Sequence, residues 1–189
     1  NAYYKLWVSQ INKSIKHEDP ITVHIDELTK GGYLCHTNIN TLTQLTKKEY
    51  THSVFIPGSH IVLNIEHDFN SWIGKDVEII PQKFVEFKKV MNAGVLSTEN
   101  SLVGSRKRLL QIKGQENLNN IYKRYLLSTS KNVKNYTPEE FEGTVTGIIN
   151  SNNKCGVFVE LDDLYITGLM PLTSSDLLNF PPGTHVKVY

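Results

Sequence analysis

One order of local signals occurs twice in these 189 residues. A β-patterned strand is followed by a turn, a second strand, an apolar-apolar-proline step, and then a glycine leading into a β-branched strand. The first pass reads Ile21-Thr-Val-His-Ile25, Gly31-Gly32, Tyr33-Leu-Cys35, Phe55-Ile-Pro57 and Gly74-Lys-Asp-Val-Glu-Ile79. The second reads Phe141-Glu-Gly-Thr-Val-Thr-Gly-Ile-Ile149, a polar tip at Asn150–Asn153, Gly156-Val-Phe-Val-Glu-Leu161, Leu169-Met-Pro171 and Gly183-Thr-His-Val-Lys-Val188. Alternation of apolar and polar residues marks half-buried strands, and an ordered repeat means two copies of one small β module rather than one continuous sheet.

Between the copies the period changes. Strand candidates in the first copy continue through Val54–Ile56, Ile61–Ile65, Val77–Ile80, Phe84–Phe87 and Gly94–Ser97, and from Leu102 the β pattern stops. Leu118, Ile121, Tyr122, Tyr125 and Leu126 then recur at helical spacing, which predicts a helix within 102–130. A shorter stripe of Tyr4, Trp7, Val8, Ile11 and Ile15 predicts an amphipathic docking helix ahead of the first strand, stopped before Pro20. The expected organisation is a leading helix over 1–20, a first module over 21–98, a helical connector over 99–140 and a second module over 141–189. Residue 1 is Asn rather than Met, and His185–Tyr189 reads as a strand in progress, so a fragment is expected.

The ordered pieces Lys30-Gly-Gly-Tyr-Leu34, Phe55-Ile-Pro-Gly-Ser59, Ile73-Gly-Lys-Asp-Val77, Glu142-Gly-Thr-Val-Thr-Gly-Ile148, Gly156-Val-Phe-Val-Glu-Leu161 and Gly168-Leu-Met-Pro171 resemble the S1 RNA-binding motif family. The likeness is closest to the repeats of bacterial ribosomal protein S1. It implies an all-β chain with a helical connector: two tandem five-stranded OB-fold barrels, the second lacking its last strand. Such a fold presents an open face to single-stranded nucleic acid. RNA-binding copies of the family carry an aromatic before the hairpin glycine, a second two residues after it, and a histidine after the Gly-Leu step. At those positions the second copy has Cys155, Phe158 and Pro171, and the first has Gly31, Leu34 and Pro57, with Tyr33 as a displaced aromatic.

Alternation puts Phe158 opposite Val157 and Val159, so one of the two sets is core; the resemblance turns Phe158 outward and nominates it as the stacking residue, with Lys154, Thr144 and Thr146 around it, a buried ring being the alternative. Tyr33 and Lys30 are the weaker equivalents in the first copy, where Tyr33 can equally cap the barrel bottom as a packing residue, and Lys30 can be a solvated strand-end lysine. The densest cationic run, Arg106-Lys107-Arg108, is the candidate phosphate-contact patch, with an ordinary solvated helix surface as the alternative. Any such patch has to be local, because Lys+Arg 20 against Asp+Glu 19 leaves a formal charge of only +1.

No catalytic constellation is legible. Ser59 lies outside any G-x-S-x-G elbow, Lys30-Gly-Gly lacks the spacing of a nucleotide cradle, and no nucleophile has a partnered base. His52, His60 and His67 have no helical pairing and no cysteine companions, so neither a metal nor a small-molecule cofactor is expected. Cys35 and Cys155 form no C-x-x-C, which points to a reducing compartment. No run approaches the roughly 18 apolar residues of a membrane span. The expectation is a cytoplasmic, non-enzymatic protein that binds single-stranded RNA or docks on the ribosome in translation. The alternatives are an interaction protein that keeps the barrels as scaffold, for example in a viral particle, or the binding arm of a larger RNA-processing enzyme.

Overall fold

The computed structural model describes residues 2–39, 50–64, 68–90, 96–129, 137–151 and 153–189. The expected strand start at Gly94, the histidine at 67 and most of the polar boundary 131–138 lie outside the described residues. The chain divides into two compact units between Leu109 and Leu110, with 63–66 grouped with the second.

In the first unit, α1 (Ala2–His17) precedes β1 (Ile21–Thr29), β2 (Gly32–Asn38), β3 (Thr51–Pro57), β4 (Asp76–Val90) and β5 (Leu96–Ser105). The strands close into a barrel in the order β1-β2-β3-β5-β4, with β3 and β5 parallel and the other pairs antiparallel. Inward residues Val23, Ile25, Tyr33, Val54, Ile56, Ile79 and Leu102 fill it. Trp7 and Ile11, from the apolar stripe of α1, join the same core, and burying each such side chain contributes about 1.5–3 kcal/mol.

Three details differ from the sequence reading. Pro81 does not separate two strands: β4 runs through it, because a bulge between Pro81 and Lys83 accommodates the missing N–H. The β pattern does not stop at 102, since Leu102 and Val103 are buried in β5, which extends to Ser105. Gly104 leaves room for the buried Ile79 side chain, which an added Cβ would force to shift. Lastly, Ile61–Asn64 is a bend rather than a strand, although Ile61 is fully buried.

The helix α2 (Arg106–Thr129) follows, and the Ser105 hydroxyl caps it by accepting from Arg108 N–H at 3.0 Å. From Leu110 onward it groups with the second unit, where Asn117 Nδ2 donates to Leu164 O at 3.0 Å. There β6 (Phe141–Ser151), β7 (Lys154–Leu161), β8 (Ile166–Pro171) and β9 (His185–Val188) form a four-stranded antiparallel sheet in the order β8-β7-β6-β9 over Val145, Val157, Val159 and Leu177. Among the described residues no helix is long and apolar enough to cross a membrane.

The two units repeat each other in register. Gly32 pairs with Pro57 as Gly156 pairs with Pro171, and Leu34 pairs with Phe55 as Phe158 pairs with Leu169. The bulge between Ile25 and Glu27 recurs between Val145 and Gly147. Gly74 N–H donates to Ile25 O at 2.8 Å, and Gly183 N–H does the same to Val145 O. The described residues are thus mostly β, with two sheets and two helices among them, and one strand plan underlies both sheets.

Candidate nucleic-acid face

Side chains alternate along a strand, so burial of Val157 and Val159 sends Phe158 outward. Its ring is 38% exposed, with Leu169, 41% exposed, directly across on β8. On the other side it faces Gly147, whose added Cβ would sit 3.7 Å from the ring. A glycine there leaves the aromatic flank uncovered. Thr144, Glu160 and Thr167 lie further along the same face by register. Glu160 is buried, and its carboxylate disfavours a phosphate at that end.

The nominated neighbours of Phe158 are less concentrated than expected. Lys154 is exposed beside the β6–β7 hairpin tip and on the same face, but four residues of strand put it roughly 13 Å along the chain from Phe158. Cation and ring would therefore serve different nucleotides. Thr144 Oγ1 donates to Asp162 Oδ1 at 3.2 Å and lies 3.3 Å from His185 Nδ1. Thr146 occupies the bulge, and its hydroxyl lies 3.4 Å from Phe158 O.

In the first unit Tyr33 takes the packing role and not the RNA-facing one. It occupies the inward position equivalent to Val157, is fully buried, and donates its hydroxyl to Phe69 O at 3.0 Å. Burial pushes its phenol above the ordinary range, and no base can stack on it. Leu34, 40% exposed, takes the place of Phe158, and the half-buried Phe55 lies across from it. Each face thus carries one aromatic and one leucine as a cross-strand pair, with the ring on the second strand in one copy and on the third in the other. Sequence reasoning missed Phe55, because only the register shows that it answers Leu169. Lys30 is exposed at the β1–β2 turn.

The cationic run does not form a patch. Consecutive residues in a helical turn point about 100° apart, and two of the three are committed. Arg106 Nη1 donates to Ile61 O at 2.8 Å while its guanidinium stands 4.7 Å from the Trp72 ring centre. Arg108 makes a two-pronged pair with Glu18 at 2.6 and 2.8 Å, which holds that carboxyl below its ordinary range. Lys107 is half-buried. Cys35 is sealed in the barrel, and burial pushes its thiol up to about 12, so it is no nucleophile at neutral pH.

The chain matches no protein-family model and no curated protein.

Proposed function

We propose that this protein binds single-stranded RNA through tandem OB-type modules of the S1 kind, with the second unit as the RNA-contacting one. The observation that carries the proposal is Phe158, an aromatic turned outward on a strand whose two neighbours are core. Bases stack on such a ring with little sequence preference, each contributing about 1–3 kcal/mol. The strand order β1-β2-β3-β5-β4 of the first barrel supports an OB reading, and the second sheet matches four of its five positions in register. A role in translation, as a ribosome-docking protein in the cytoplasm, follows from the family resemblance.

The test is a fluorescence titration with a short single-stranded RNA at two salt concentrations. Affinity that falls with salt supports the proposal, because phosphate contacts release counterions. Absence of binding at low salt refutes it.

A second reading, an interaction module without RNA binding, is favoured by three observations. The first copy has no exposed tyrosine at Tyr33 and two of its three clustered cations are engaged, while Leu118, Tyr122 and Tyr125 of α2 are exposed. In the titration this reading predicts no RNA affinity at either salt concentration.

A further inference from the structure

Two histidines stand side by side on the outer face of the first barrel. His24 of β1 and His36 of β2 are register partners, and their ring centroids lie 5.2 Å apart. Each is held through Nδ1 by its own carboxylate. His24 Nδ1 is 2.7 Å from Asp76 Oδ1 on β4, and His36 Nδ1 is 2.8 Å from each oxygen of Asp26. Asp26 is the residue displaced by the bulge in β1, which re-aims its side chain toward the neighbouring strand. An ionised carboxylate only accepts, so Nδ1 carries the proton in both neutral rings and the lone pair is on Nε2. Among the described residues neither Nε2 has a protein partner. Both side chains are partly exposed, in a recess that also includes Thr22, Thr37 and Asn38.

We propose that His24 and His36 form a two-imidazole site for a divalent transition-metal ion, zinc or nickel, with Asp76 and Asp26 as the orienting carboxylates. Imidazole nitrogen suits these ions. A histidine ligand usually donates its other ring N–H to a carboxylate, which fixes the ring and raises its basicity. Here that arrangement occurs twice, on adjacent rings. An anion is disfavoured at the same spot, because both carboxylates repel it. No three His, Cys, Asp or Glu side chains among the described residues form a metal-holding group, so the two imidazoles are the ligands that the described residues supply. The site is specific to the first copy: the residues equivalent to His24 and His36 in the second are Thr144 and Glu160. The pair escapes a sequence search for helical spacing because its members meet only across a hairpin.

The test is a calorimetric titration of the full chain with zinc chloride, repeated with nickel chloride, beside nitrogen-detected magnetic resonance of the imidazoles. The expected result is a site at which the Nε2 signals of His24 and His36 move together as metal is added. His24→Gln and His36→Gln should each weaken binding at least about tenfold, and Asp76→Asn by about 10–100-fold, through loss of the orienting carboxylate. The chain has seven histidines, so residual binding elsewhere is separated by the double variant. Unmoved Nε2 signals at these two rings in the wild-type chain, or affinity unchanged in both glutamine variants, would overturn the proposal.

Discussion

Leu102→Ala tests whether β5 closes the first barrel. Leu102 is fully buried, sits beside Val54 of β3 and opposite Phe84 of β4, and belongs to the same core as Ile25, Ile56 and Ile79. Truncation to alanine removes three buried carbons, for a transfer loss of about 2 kcal/mol at roughly 0.8 kcal/mol per group. The cavity left behind raises the total to about 3–5 kcal/mol, since strands pinned on both sides relax little. The chain contains two tryptophans, Trp7 and Trp72, and both lie in the first unit, so their fluorescence follows that unit alone. With a urea slope of about 1–3 kcal/mol/M, the tryptophan midpoint should fall by about 1–5 M. Leu118→Ala, at an exposed position on α2, should leave that midpoint in place. A loss below about 1 kcal/mol for Leu102→Ala would mean that the strand does not pack as described.

Thiol titration of the native chain should find one reactive cysteine, the half-buried Cys155, while Cys35 reacts only after unfolding. Because the Cys35 thiol is raised from 9.0 to about 12 in the folded state, it favours folding fully below pH 9, and this contribution declines as pH rises from 9 to 12, measurable as a falling urea midpoint. Gly156→Ala would place a Cβ 2.3 Å from Met170 O and should cost about 1–3 kcal/mol by chemical denaturation followed through the β signal of the second unit, whereas Gly168→Ala meets nothing within 4 Å and should cost far less. Lys154→Ala should reduce the slope of log affinity against log salt by about 1 in an RNA titration and leave base preference unchanged.

Much of the fold is legible in the sequence because it rests on local periodicity. The stripe Tyr4, Trp7, Val8, Ile11 and Ile15 specifies α1, and alternation in Ile21–Ile25 and Gly156–Leu161 specifies strands whose inward sets are the observed core. The errors fall where long-range pairing overrides a local signal. Val77–Ile80 and Phe84–Phe87 read as separate strands and the β pattern as ending at Leu102, yet a bulge after Pro81 joins the first two in β4, and pairing with β4 carries β5 on to Ser105. Site residues were less legible for the same reason. Tyr33 is adjacent to a hairpin glycine, as an RNA-stacking aromatic would be, but the pleat turns it inward. Three consecutive cations suggest a patch, but their partners Glu18, Ile61 and Trp72 are 34 to 90 positions away and appear only on folding. Phe55 and the His24–His36 pair depend on strand register, which composition does not encode.

The most direct test of the account is the affinity of Phe158→Ala for a short single-stranded RNA, measured by fluorescence anisotropy beside the wild-type chain. The ring is outward, with the core supplied by Val157 and Val159, so the variant should keep the wild-type circular-dichroism spectrum. Loss of one stacking platform worth about 1–3 kcal/mol should weaken binding roughly ten- to a hundredfold. Equal affinity in a folded variant would contradict the account and leave both units as scaffold.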